Sequence, residues 1–133
     1  SMIVKKVKKI EIDSFHEHQD FIKKEILEYI RKFKGEKIAI WGAGHQAFSI
    51  ISLVGLADKV SYIVDSAEFK QNKFSPASHV PIFSPDRLII EPVKAVIVMA
   101  ASYSDEVTKH LTNNFDNEFS ISILRDYGLE KIR

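Results

Sequence analysis

An apolar run that ends in two glycines constrains the fold of this chain more than any other feature. The run, residues 38–41, is followed by Gly42, Gly44 and Ala47 in the pattern G-x-G-x-x-A, and a helical pattern begins at once. This strand–turn–helix order is typical of dinucleotide-type phosphate loops. We expect Gly42 to permit the turn, Gly44 to let a phosphate approach the backbone, and Ala47 to let the helix pack closely. The alternative is a tight turn that binds nothing.

Unpaired backbone amides give this segment its expected chemistry. The first amides of a helix have no intrahelical acceptor, and the helix dipole makes that end mildly positive. An anion can therefore be held after Gly44 without any basic side chain. The sequence predicts that residues 42–46 contact a phosphate.

Four further apolar segments predict the other strands of the sheet. They are residues 60–64, 80–83, 94–101 and 118–124. Short apolar strands that alternate with helical patterns are typical of α/β units joined by right-handed crossovers. The sequence therefore predicts an α/β fold: a Rossmann-like parallel five-stranded sheet in the order 3-2-1-4-5, with helices on both faces and an extra N-terminal helix.

The ends of the chain suggest where the domain begins and stops. Residues 1–13 mix apolar residues with lysines, which favours an edge strand or linker; a basic arm that binds phosphate is the alternative. Ser14 and Glu17 have the spacing of a capping box and predict a helix start. We expect an N-terminal arm or linker at 1–13, a single Rossmann-like domain at 14–124 and a polar tail at 125–133.

Polar residues near the ends of the predicted strands indicate a binding crevice. Asp65 ends the second strand about 20 residues after Gly44, the spacing at which a carboxylate can accept hydrogen bonds from a ribose diol. A turn-initiating aspartate is the alternative. Residues 101–103 end the fourth strand and should border the same crevice as the glycine loop. Residues 66–80 read as a long loop, a length that is usually functional or disordered.

Four residues near the crevice could exchange protons: His45, Asp65, His79 and Tyr103. Their spacing does not assemble a triad or a carboxylate pair, so we assign no catalytic residue. Structural and ligand-contact roles remain open for each histidine.

Composition and charge exclude several classes of function. The formal net charge is +1 and there is no cysteine, so we expect no nucleic-acid partner, disulfide or thiolate metal site. No run approaches the ~20 apolar residues of a membrane span, and we expect no membrane partner. His16, His18 and Asp20 diverge on a helix, so no metal site is expected. The lack of cysteine suits a cytoplasmic protein.

Four blocks of sequence in register carry a specific resemblance. They read WGAGHQAF (41–48), YIVDSAEFKQ (62–71), FSPASHVPI (74–82) and YSDEV (103–107). Together they resemble the C-terminal domain of the sugar C-methyltransferase-type family, whose members are S-adenosylmethionine-dependent enzymes acting on nucleotide-linked deoxysugars. The resemblance covers about residues 36–110.

The resemblance implies a module that helps to hold a sugar nucleotide while methyl transfer occurs largely on a central domain. An N-terminal metal-binding part precedes that central domain in such proteins. This chain lacks a second glycine-rich loop for S-adenosylmethionine and has no cysteine set. We therefore expect a non-catalytic domain fragment that binds no cofactor by itself, with a methyltransferase catalytic domain as partner in cis or in trans. Asn72 stands where the family usually has glycine, and asparagine tolerates the same left-handed turn.

Three functions stay open from the sequence. In the first, a sugar-nucleotide-binding module, Gly42, Ala43, Gly44, His45 and Gln46 take phosphate, Asp65 takes a ribose or sugar hydroxyl, and Lys70, His79 and Tyr103 line the site. The second is an NAD(H)-binding Rossmann module or small oxidoreductase, for which the glycine loop and Asp65 argue. The third is a non-binding interaction domain that keeps the Rossmann shape as a scaffold.

Overall fold

The computed structural model describes residues 2–115 and 118–133, with side chains from residue 13 onward. Within them lie four α-helices: α1 (Met2–Arg31), α2 (His45–Val54), α3 (Arg87–Ile90) and α4 (Ser104–Asn114). The strands are β1 (Ile38–Trp41), β2 (Tyr62–Val64), β3 (Lys73–Phe74), β4 (Pro81–Phe83), β5 (Ala95–Val98), β6 (Ser120–Arg125) and β7 (Gly128–Lys131). None of these helices combines the length and apolar character needed to cross a bilayer.

The strands form one mixed sheet in the order β3-β4-β2-β1-β5-β6-β7. The inner five strands are parallel, whereas β3 pairs antiparallel with β4 and β7 with β6. The expectation of a purely parallel five-stranded sheet is therefore wrong, although the five expected strands keep their expected relative order. The two edge strands were not expected, since neither has an apolar run. β3 consists of two exposed residues, and β7 contains Glu130 and Lys131.

Both ends of the chain differ from expectation. α1 is continuous from Met2 to Arg31, so the edge strand expected within residues 1–13 and the helix start expected at Ser14 and Glu17 are both wrong. The arm or linker at 1–13 stays a prediction. Lysine is a good helix former, and apolar residues three and four apart also fit a helix, so that segment carries two patterns. The polar tail expected at 125–133 contains β7. Ser1 lies outside the described residues, and the domain limits stay a prediction.

Helices cover both faces of the sheet. On one face α1 and α2 bury Ile26 and Ile51 against alternate residues of β1, and on the other α3 and α4 bury Leu88 and Leu111 against β5. Burying an aliphatic side chain of this size contributes about 2 kcal/mol. α1 is also tied to the sheet edge, because Glu25 accepts a hydrogen bond from the Leu129 amide at 3.2 Å.

A buried tyrosine anchors α3. The hydroxyl of Tyr62 donates to the Glu91 carbonyl oxygen at 2.6 Å, just beyond the end of α3. Burial raises the pKa of Tyr62, and the negative charge of Glu91 adds to that effect. Burial would also raise the pKa of Glu91, but hydrogen bonds from Arg87 and Lys37 outweigh it and lower the pKa of that carboxyl. These contacts fix the end of α3 against β2.

The long segment between β2 and β4 is ordered into two short elements. It contains a 3₁₀ turn at Glu68–Lys70 and then β3. Asn72 has φ +61°, so the left-handed conformation expected for asparagine in place of the family's glycine is confirmed. Ala77 and His79 are also left-handed, at φ +61° and +53°, in the tight turn that leads into β4.

Candidate functional site

A cavity of about 430 Å³ opens at the carboxyl ends of β1 and β5. One wall is the glycine loop (residues 42–46), and the other is the turn that follows β5 (residues 99–103). From β1 the strand order runs through β2 to one edge of the sheet, and β5 then starts on the other side of β1, so the strand order reverses at this point. Ligands of α/β sheets characteristically bind at such switch points.

The structure brings eight of the nine expected site residues to this cavity: Gly42, Ala43, Gly44, His45, Gln46, Asp65, Lys70 and Tyr103. His79 does not line it. Its ring packs edge-on against Phe74 with centroids 5.8 Å apart, in the turn between β3 and β4. The antiparallel strand β3 leads the chain away from the carboxyl ends of the strands, which explains the separation. Binding by the other eight residues stays a prediction.

The backbone of Met99, just after β5, lies so close to residue 42 that a side chain does not fit there. Its φ is +130°, and a Cβ there would lie 2.8 Å from the Met99 carbonyl carbon and closer still to the carbonyl oxygen. The Met99 amide donates to the Trp41 carbonyl at 2.9 Å, so the two backbones cannot separate without losing that bond. Gly42 therefore has a packing role in addition to its expected role in the turn.

Gly44 faces open space. It is extended, with φ −130° and ψ −172°, and a Cβ there would have no described heavy atom of the chain within 4 Å. The chain itself places no steric demand for glycine at this position. Gly44 is also the N-cap of α2, a position that favours glycine over alanine.

The first turn of α2 presents unpaired donors. Across the described chain, the amides of residues 44–47 have no hydrogen-bond acceptor, and the first bond of the helix runs from the Phe48 amide to the Gly44 carbonyl at 3.0 Å. This turn contains no acidic side chain, lysine or arginine. Its positive potential therefore comes from backbone amides and the helix dipole, as anion binding at a helix start requires. Ala47 is fully buried, which lets α2 lie close on the sheet.

Asp65 holds the glycine loop in place. Its Oδ2 accepts from the Ala43 amide at 2.8 Å and its Oδ1 from the Ala67 amide at 2.9 Å. Lys70 Nζ lies 3.7 Å from Oδ2 and balances the charge. The carboxylate thus joins the β1–α2 loop to the segment after β2. The ribose contact expected of Asp65 stays a prediction, and a diol could reach only the small part of this side chain, 15%, that is exposed.

Replacing Asp65 with asparagine tests this structural role. An asparagine can accept from only one of the two amides, and its NH₂ group would face the other donor. We expect the free energy of unfolding to fall by about 1–2 kcal/mol, measured by urea denaturation at pH 7. A matched Asp58→Asn substitution, at an exposed aspartate away from the cavity, should change it by less than about 0.5 kcal/mol. Equal effects of the two substitutions would contradict the assignment.

The wall after β5 is held by side-chain acceptors. Ser104 Oγ accepts from the Ala100 amide at 3.1 Å, and Gln46 Oε1 accepts from the Ala101 amide at 2.9 Å across the cavity. Ala101 lies at the crevice as expected, but it acts through its backbone, so no side-chain pattern could have revealed its contact with Gln46. Tyr103, 65% exposed, lies at the mouth of the cavity.

His45 is the one histidine among the described residues that line this cavity. His45 is exposed, and its Nε2 lies 3.5 Å from Ser49 Oγ, at the limit of a hydrogen bond. Sequence reasoning also missed cavity-lining residues whose position depends on tertiary packing: Trp41, Ser66, Met99, Ala100 and Val107.

A larger groove of about 550 Å³ lies at the opposite end of β1. Apolar residues Leu27, Ile30 and Phe33 contribute to it, together with the turn at Gly35. It lies away from the carboxyl ends of the strands and from the unpaired amides of α2. We therefore place the candidate site at the glycine loop.

Comparison with known proteins identifies a family and a fold for this chain. The sequence model of the C-methyltransferase C-terminal domain matches residues 5–122. Seventeen chains of solved structures match, among them UDP-D-quinovosamine 4-dehydrogenase from Vibrio fischeri, with TM-score 0.53 and 10% identity over 74% of this chain and 93% of that chain. At that identity the likeness shows the α/β fold alone. No curated protein matches.

Proposed function

The chain belongs to the C-methyltransferase C-terminal domain family, and on that premise we propose that it is a binding module for the diphosphate of a sugar nucleotide. One observation carries the proposal: the unpaired amides at the start of α2 border a cavity of about 430 Å³ at the switch point of the sheet. A cavity of this size suits a nucleotide fragment. The open space at Gly44 gives a phosphate access to those amides.

Each residue of the site has a part in this proposal. The amides of residues 44–46 donate to phosphate oxygens, and Asp65 keeps the loop in the shape that presents them. Lys70, paired with Asp65, adds a cation at the rim. The exposed ring of Tyr103 offers a face to the base or the sugar. His79 has no part, because it lies outside the cavity.

Methyl transfer belongs, in this proposal, to a separate catalytic domain in cis or in trans. S-adenosylmethionine would supply the methyl group there. The cavity of this chain fits that cofactor poorly, because the acidic group placed to hold a ribose diol is turned towards the Ala43 and Ala67 amides and its side chain is only 15% exposed. The same contacts of Asp65 also disfavour an NAD(H)-binding module, which needs that carboxylate for a ribose diol.

Nucleoside diphosphates provide the direct test. We expect UDP or dTDP to raise the melting temperature of the chain, because a ligand that binds only the folded state stabilises it. With the ligand at about 100 times its Kd the gain is about 2.7 kcal/mol, or about 8 °C for a domain of this size. Differential scanning fluorimetry measures the shift, with equimolar UMP and NADH as comparisons. Absence of any shift at millimolar UDP and dTDP would refute the proposal.

Trp41 separates this proposal from its alternatives. It is the single tryptophan of the chain, it is buried, and it lines the cavity. Energy transfer from Trp41 to NADH, without a thermal shift from UDP or dTDP, would favour a dinucleotide module. No effect of any nucleotide would favour an interaction domain that docks a methyltransferase chain.

A further inference from the structure

A side-chain contact crosses the cavity and joins its two walls. Gln46 lies in the first turn of α2, and Ala101 begins the 3₁₀ turn after β5 (Ala101–Tyr103). The Gln46 carboxamide oxygen accepts from the Ala101 amide at 2.9 Å, although the residues are 55 positions apart. Both residues line the cavity, so this bond spans the space that a ligand would enter.

The backbone that donates this bond is strained. Ala101 has φ +48°, a left-handed conformation that costs a residue with a side chain about 1 kcal/mol. The preceding amide, of Ala100, is fixed by Ser104 Oγ at 3.1 Å. The turn therefore presents two successive amides to acceptors. Ser104 is buried and rigidly placed, whereas Gln46 is a longer, partly exposed side chain that can turn away.

Building on the proposed function, we propose that Gln46 is a latch: it holds the Ala101 amide when the cavity is free of ligand, and a phosphate oxygen replaces it when ligand binds. Ala101 then donates to the ligand from the wall opposite the amides of α2. A charged acceptor forms a hydrogen bond about twice as strong as a neutral carboxamide does, so the exchange is favourable. The diphosphate is thereby held from both walls, and the glutamine sets the position of the β5–α4 turn beforehand.

Two substitutions at one position separate a latch from a direct ligand contact. Gln46→Ala removes the competing acceptor, so under the proposal it should bind UDP about threefold more tightly, whereas a direct contact would make binding weaker. Gln46→Glu keeps an acceptor for Ala101 but adds a negative charge, and it should bind UDP at least tenfold more weakly, by about 1.4 kcal/mol. Isothermal titration calorimetry measures both, and thermal melting of each variant checks that the fold is kept.

Amide hydrogen exchange measured by NMR tests the hydrogen bond between Gln46 and Ala101 directly, without a binding measurement. In the absence of ligand, Gln46→Ala should speed exchange at Ala101 about fivefold, the effect of losing one hydrogen bond, while Gln46→Glu should not. Adding UDP should slow exchange at Ala101 in the wild-type chain and in Gln46→Ala alike. These results, with tighter binding by Gln46→Ala, are the expected outcome.

Each other outcome has a defined meaning. Unchanged exchange at Ala101 in Gln46→Ala, or UDP binding by that variant no tighter than wild type, overturns the latch. Protection of residues 44–46 by UDP without protection of Ala101 overturns the latch and leaves the proposed function standing. Lack of protection at both places overturns the proposed function, and the ligand exchange with it.

Discussion

Replacing Gly42 with alanine is expected to remove about 3–5 kcal/mol of folding free energy. Two costs add. The backbone at φ +130° is a conformation that residues with a side chain rarely adopt, which costs about 1–3 kcal/mol. The new Cβ would also meet the Met99 carbonyl group, which belongs to the backbone and cannot turn aside; overpacking of this kind costs about 1–3 kcal/mol.

Gly55→Ala is the matched control for that substitution. Gly55 is also left-handed, at φ +75°, but a Cβ there would meet no described atom within 4 Å. Its replacement should therefore cost only the conformational term, about 1 kcal/mol. Urea denaturation followed by circular dichroism compares the two variants. If Gly42→Ala were as stable as Gly55→Ala, that result would contradict the close contact between the glycine loop and the Met99 backbone.

The inner sheet could be read from the sequence because burial leaves a local record. A strand covered by helices on both faces is apolar throughout, as residues 95–98 are, and a glycine loop after such a strand indicates which edge carries the site. The edge strands leave no such record. β3 has two exposed residues, and β7 is partly charged because an edge strand also meets solvent. Local pattern therefore predicts the centre of this fold better than its margins.

The site, too, could be predicted only in part from local pattern. The residues of the glycine loop, Asp65 and Tyr103 converge because each follows a parallel strand, and parallel strands end at one edge. His79 was expected there too, but its segment includes an antiparallel strand, which reverses the direction of the chain. The contacts between Asp65 and Ala43, and between Gln46 and Ala101, join side chains to distant backbone amides. Such contacts depend on tertiary geometry and leave no spacing to recognise.

Replacing Gly44 with alanine should separate binding from folding. Gly44 is extended and its Cβ direction is empty, so the free energy of unfolding should change by less than about 1 kcal/mol, within the range for a weaker helix cap. A methyl group at this position would stand between an incoming phosphate and the amides of α2. Losing two hydrogen bonds to a charged group costs about 3 kcal/mol or more, so UDP affinity should fall by more than a hundredfold.

Calorimetric titration of UDP into wild type, Gly44→Ala and Gly55→Ala measures that loss. Gly55→Ala lies at the far end of the same helix and should bind UDP as wild type does, although it is the less stable variant. Gly55→Ala should therefore leave binding unchanged, whereas Gly44→Ala should weaken binding strongly without being less stable than Gly55→Ala. A Gly44→Ala chain that binds UDP with wild-type affinity would contradict the proposed approach of the phosphate to the start of α2.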